Sequence, residues 1–339
     1  MTWTSCAHGG DRARILDLVN DRSLTERADL RLRAFDYVVR RIVPPVDALT
    51  PAQLRRERAR TLPGNPLARL VFGGPAPGVS VADRRIERPA WPIPVRTYTP
   101  TGVTNPPIVV FLHGGGWVVG NVSQSTWMCG WIARRSQVLV VSAGYRLAPE
   151  HRFPTAVDDA YDAVSWIAGH GRELGGDPSR LALLGSSAGG NLAAVVCQLA
   201  RDRDGPSIGL QILLYPAVDV TQETPPRVHL DDAPMLRVGD RIAYLRHYTE
   251  DAVDPYDPRI SPLHADSLAD LPPALVITAE HDPLRDEARR YADRLRAEGT
   301  PARYTDYAGM CHGFMSFPGL AAAARQALAE MCQEIDATL

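Results

Sequence analysis

The stretch Gly185-Ser186-Ser187-Ala188-Gly189 stands where an apolar run, Leu181 to Leu184, gives way to a helical pattern through Asn191 to Arg201. A serine hydroxyl becomes a useful nucleophile toward a carbonyl carbon when three conditions hold. It must be presented openly, it needs a base, and the negative charge it creates must be received. A glycine-flanked serine on a strand–turn–helix meets the first condition. The turn is tight, glycine on either side leaves it room, and the following helix aims its positive N-terminal end at an anion. Ser187 is the expected nucleophile.

The third condition is met 74 residues earlier, at His113-Gly114-Gly115-Gly116-Trp117, directly after the apolar run Pro107 to Leu112. Glycine lets the backbone turn its N–H groups toward a ligand at close range. The amides of Gly115 and Gly116, with that of Ala188, are the expected oxyanion donors. His113 reads as a residue holding this loop rather than as the base. His8-Gly9-Gly10 follows no strand pattern and is read as coincidence.

For the second condition, a base and its orienting acid follow such a serine in the order acid, then histidine. Asp282 lies just past the apolar run Ala274 to Thr278, and His312 lies 30 residues later between Cys311 and Gly313. Glu280, His281 and Asp286 are rivals nearby. Asp286 and Glu287 also suit the first turn of an Arg-rich helix. Cys311, beside His312, reads as a small packed side chain, with a modifiable thiol as the sharper alternative. Trp117 and Phe314 flank the two loops and are candidates for lining a pocket, a core role being equally open.

These residues need a frame. Val95 to Tyr98, Pro107 to Leu112, Val138 to Ser142, Leu181 to Leu184, Leu210 to Leu214 and Ala274 to Thr278 read as strands, several of them continuously apolar. Helical patterns such as Ala156 to Ala168 lie between them. That alternation predicts an α/β fold with a mostly parallel sheet covered on both faces. Leu30 to Ile42 reads as a helix stopped by Pro44-Pro45. Thr50-Pro51 opens another, with Thr50 as its N-cap. Residues 218–267, rich in Pro, Asp and Arg, interrupt the rhythm like a helical insertion. The expected division is 1–60 as an N-terminal helical cap segment, 80–217 and 268–339 as the catalytic domain, and 218–267 as a cap insertion.

Composition narrows the field. The 339 residues carry Lys+Arg 37 against Asp+Glu 39, a formal net charge of −2, with no basic excess to meet nucleic acid or anionic lipid. There is no Lys, which excludes Schiff-base chemistry and a P-loop. The five Cys, at 6, 129, 197, 311 and 332, have neither metal-site nor disulfide-framework spacing. The uncharged stretches Thr101 to Ala133 and Leu181 to Ala200 are too interrupted to span a membrane. The polar first 20 residues lack a signal-peptide core, so a cytoplasmic protein is expected.

In motif order and spacing from Pro107 to Phe314, the chain resembles the hormone-sensitive-lipase-like branch of the α/β-hydrolases. Tyr145-Arg146-Leu147-Ala148-Pro149-Glu150, Phe153-Pro154 with Asp158-Asp159, and Ser261-Pro262-Leu263 extend the match. The resemblance implies an α/β-hydrolase fold, with Ser187 as nucleophile, Asp282 as acid and His312 as base. It also implies the oxyanion loop and a cap built from the N-terminal helices and the insertion. The activity implied is hydrolysis of short- to medium-chain acyl esters through an acyl-enzyme, with a small-molecule ester as partner and no metal or cofactor. Acyl transfer or amide hydrolysis on a specialised metabolite is the alternative, and a non-catalytic ligand receptor the less favoured one. Homodimers through the edge of the last strand are common in that branch. Ser186 departs from it, standing where an Asp is usual.

Overall fold

The computed structural model describes residues 28–61, 65–88, 91–221, 230, 232–250 and 253–339. Cys6, the His8-Gly9-Gly10 stretch, residues 1–27 of the N-terminal segment, and 222–229, 231 and 251–252 of the insertion lie outside the described residues.

Eight strands form one sheet in the order β1-β2-β4-β3-β5-β6-β7-β8. They are β1 (Val79–Ile86), β2 (Ile93–Pro100), β3 (Pro107–Leu112), β4 (Leu139–Ala143), β5 (Asp177–Ser186), β6 (Leu210–Leu214), β7 (Ala274–His281) and β8 (Ala302–Cys311). β1 and β2 pair antiparallel, as do β2 and β4; every other pair is parallel. The fold is the α/β architecture expected. β3, β4 and β6 are buried almost throughout because helices cover both faces.

Alternate side chains face opposite ways, so the sheet divides two cores. Ile108, Val110, Leu112, Leu183 and Leu213 pack against helices α5 (Thr155–His170), α6 (Ala188–Asp202) and α8 (Arg285–Ala297). Val109, Phe111, Leu184, Ile212 and Leu214 pack against α4 (Thr126–Arg135) and α9 (Ala323–Thr338). The two uncharged stretches fall on β3 through α4 and on β5 through α6. Among the described residues, no helix is long and apolar enough to cross a membrane.

Helix α1 (Leu30–Ile42) stops before Pro44-Pro45, as the prolines dictate. Helix α2 (Pro51–Arg58) opens with the Thr50 side chain accepting the Gln53 amide, and α3 is Pro66–Phe72. In the insertion, α7 spans Val238–Tyr248. The N-terminal helices and the insertion meet. Asp36 accepts the Met235 amide at 2.9 Å, and Arg40 donates to the Ala233 carbonyl at 2.8 Å.

Two strands have no counterpart in the sequence reading, and both lie at the sheet edges. β1 is mostly exposed, and β8 (ARYTDYAGMC) is half-exposed until its last two residues. An edge strand keeps polar side chains in water and loses the apolar continuity that reveals an interior strand.

Candidate active site

Strand register assembles the site at the C-terminal ends of the strands, where open α/β sheets place ligands. His281, the last residue of β7, pairs with Cys311, the last of β8. The residues that follow them, Asp282 and His312, therefore leave the sheet side by side. The His312 Nδ1 lies 2.8 Å from Asp282 Oδ2, and its Nε2 lies 2.9 Å from Ser187 Oγ. Asp282 is buried, and its other oxygen accepts the Leu284 amide at 2.9 Å, which fixes the carboxylate. The Tyr215 ring meets the His312 ring edge-on at 4.9 Å.

Ser187 follows β5 directly and precedes the first residue of α6. Its φ of +54° with ψ of −118° is a conformation L-residues seldom adopt. The surroundings hold it there. Its amide donates to the Leu214 carbonyl at 2.9 Å, and its own carbonyl accepts the Asn191 amide at 3.0 Å. The buried Asn191 side chain in turn donates to the Ala217 and Ile260 carbonyls, both at 2.8 Å. A Cβ at Gly189 would lie 2.1 Å from the Leu112 carbonyl oxygen, so only glycine lets α6 start this close to β3.

The glycine loop leaves β3 and lies against this turn. Gly115 takes φ of +119°, and its carbonyl accepts the Val118 and Val119 amides at 3.1 and 2.9 Å. Among the described residues, the amides of Gly115 and Gly116 have no protein acceptor. Ala188, the first residue of α6, has no intrahelical acceptor for its amide. His113 is buried. Its Nδ1 donates to the Gly114 carbonyl at 2.8 Å, and its ring stacks on Tyr145 at 4.4 Å. Burial lowers its pKa to about 4, so it is neutral at pH 7, and its ring partners, the Gly114 carbonyl and Tyr145, are not members of the Ser187–His312–Asp282 chain.

The rivals are occupied elsewhere. Glu280 accepts the Gly309 amide at 2.8 Å, His281 is buried beside it, and Asp286 lies by Arg285 on α8. Cys311 is fully buried, and desolvation pushes its thiol pKa well up, which suits a packing role.

Over Ser187 lies a cavity of about 180 Å³. Trp117 lines it and stacks flat on Tyr248 of α7 at 4.5 Å. Phe314 does not, and here the sequence expectation is corrected. Its ring is fully buried between Tyr215 and Tyr307, in the core beneath the site. It leaves the loop at a 3-10 turn that directs Gly313 and Ser316 to the cavity and Phe314 inward.

Much of the lining was not visible in the sequence. Met235, Leu236, Tyr244 and Leu245 come from the insertion, with Tyr215 and Leu284 from the body. The insertion has no apolar period that would single them out. Arg58 was missed as well. It donates from Nε to the Val118 carbonyl at 2.8 Å and so braces the glycine loop from α2.

A serine raised on a strand-to-helix turn, beside a histidine and carboxylate at the ends of parallel strands, has the layout of a serine hydrolase. The chain belongs to the family of the α/β-hydrolase fold, whose model matches residues 109–316. The resemblance to the hormone-sensitive-lipase-like branch stands with it. The esterase LipI of Mycobacterium tuberculosis is 39% identical over 277 residues, 80% of this chain and 84% of its own length. The carboxylic ester hydrolase LipN of the same organism is 45% identical over 249 residues, 72% of this chain and 66% of its own. Among solved structures, a serine-to-alanine variant of LAE6, an α/β-hydrolase enzyme from the metagenome of Lake Arreo, Spain, matches with a TM-score of 0.80. It is 34% identical and covers 90% of this chain and 95% of that chain.

Proposed function

We propose that Ser187, His312 and Asp282 are nucleophile, base and orienting acid of a carboxylic ester hydrolase. The chain is an ester hydrolase by its relatives, which include an esterase and a carboxylic ester hydrolase. The observation that carries the residue assignment is the linear chain of contacts from Ser187 Oγ through His312 to Asp282, at 2.9 and 2.8 Å.

In this reading Ser187 Oγ attacks the ester carbonyl carbon and His312 Nε2 takes its proton. Asp282 keeps Nδ1 protonated and offsets the imidazolium charge. The oxyanion points to the amides of Gly115, Gly116 and Ala188, each donor contributing roughly 3–4 kcal/mol by analogy with other serine hydrolases. His312 returns the proton to the departing alcohol. It then activates a water that cleaves the acyl-enzyme. The small, mainly apolar cavity supports short- to medium-chain acyl groups, and the N-terminal helices and the insertion serve as its cap.

Hydrolysis of p-nitrophenyl esters from acetate to palmitate, by wild type and Ser187→Ala, tests this. Expected is turnover on the short members, a decline beyond medium chains, and a loss of about 10⁴-fold or more in Ser187→Ala. Substantial turnover by Ser187→Ala would remove the assignment.

A further inference from the structure

The cavity over Ser187 is lined mostly by apolar and small polar side chains, yet Arg241 of α7 lines it too. Its guanidinium does not stand free. Nη2 donates to the Asp219 carbonyl and lies 2.7 Å from Glu287 Oε2. Glu287, on α8, is fully buried, and its Oε1 accepts the Val218 and Asp219 amides at 2.9 and 3.2 Å. The Asp219 carboxylate has its own partners, His264 at 3.2 Å and the Thr221 amide at 2.9 Å. One carboxylate thus joins three pieces: α8, the segment after β6, and α7 through Arg241.

Arg241 precedes Tyr244 and Leu245 by three and four residues, so the three share one face of α7. Tyr244 and Leu245 line the cavity, and Tyr244 sits over Gly116 of the glycine loop, where a Cβ would lie 2.3 Å from its ring. Whatever holds Arg241 therefore fixes where these two side chains stand above the nucleophile. We propose that Arg241 is a positioning residue whose pairing with Glu287 seats α7 on the body and thereby sets how well the site holds the longer acyl chains. This rests on the ester-hydrolase reading above. A buried guanidinium–carboxylate contact suits the role because removing one partner leaves the other charge unpaired and dislodges the element that carries it.

The test compares kcat and KM for p-nitrophenyl acetate and octanoate in the full chain. The pH is 9, above the value of about 8 to which burial, opposed by Arg241, raises the Glu287 carboxyl. Taking the ratio of the two substrates cancels any effect common to Ser187 and His312. Glu287→Gln should keep kcat on acetate within about twofold and raise KM on octanoate about tenfold. Arg241→Met should lower the octanoate-to-acetate ratio of kcat/KM to a similar degree, and Arg241→Lys should restore most of it. The double variant Arg241→Met/Glu287→Gln should lose no more than either single one, because the two act as a unit. A ratio within about twofold of wild type in Arg241→Met, or losses that multiply in the double variant, overturns the proposal. If Glu287→Gln does not fold, the Met and Lys variants of Arg241 decide it alone. A wild type that cleaves neither ester removes the ester-hydrolase reading and this proposal together. An active wild type together with an unchanged ratio in Arg241→Met removes only this proposal.

Discussion

At Gly115 one hydrogen atom decides whether the loop can exist. With φ of +119°, a Cβ there would lie 2.1 Å from the Val119 carbonyl oxygen. Gly115→Ala is expected to shift the loop and lower kcat by roughly 10²- to 10³-fold, with a much smaller change in KM. Steady-state kinetics alongside a melting curve would show it, and an unchanged kcat in folded protein would count against Gly115 as an oxyanion donor. Asp282→Asn should lower kcat about 10⁴-fold with little loss of stability, since the amide favours the wrong tautomer of His312. Residues of this kind were legible in the sequence. A turn that must be tight restricts residue type, and glycines around one serine leave a local pattern. Phe314 was not legible, because a residue beside a catalytic loop can point to either side of it, and only the 3-10 turn decides.

At the scale of elements, the interior strands β3 to β7 were readable because burial on both faces gives them nearly continuous apolar runs. The edge strand β8 was not, although its pairing of Cys311 with His281 is what sets Asp282 beside His312. The order of acid and histidine was therefore visible while the reason for their meeting was hidden. Helices outside the sheet act at a distance in the same way. Arg58 on α2 reaches the Val118 carbonyl, and its Nη2 pairs with Glu150 at 2.8 Å. Arg58→Met should lower kcat/KM about tenfold on every chain length alike, because it loosens the glycine loop and leaves the insertion in place. Measuring acetate and octanoate esters side by side would check this, and a loss confined to octanoate would refute it.

Protonation acts on the fold as a whole, and at His113 it acts against it in acid. His113 is held neutral by burial, with a pKa of about 4 against an ordinary 6.5. Between those values the unfolded chain takes up a proton at this site that the folded chain refuses, so stability falls as pH drops from 6.5 toward 4. Above pH 6.5 the group makes no difference. His113→Asn, which cannot titrate, should lose less melting temperature than wild type over that range, even if it starts lower at pH 7. Parallel thermal scans at pH 7 and pH 4.5 would show the difference, and identical slopes would exclude His113 as a source of acid sensitivity. The contact between Asp36 and Met235 has a consequence in time as well as in space. It spans 199 residues. At translation rates of roughly 5–20 residues per second, Asp36 is synthesised about 10–40 s before its partner is made. Throughout that interval the Asp36 carboxylate lacks the Met235 amide that it accepts in the finished protein. The contact between α1 and the insertion thus forms only after every strand from β1 to β6 has been made.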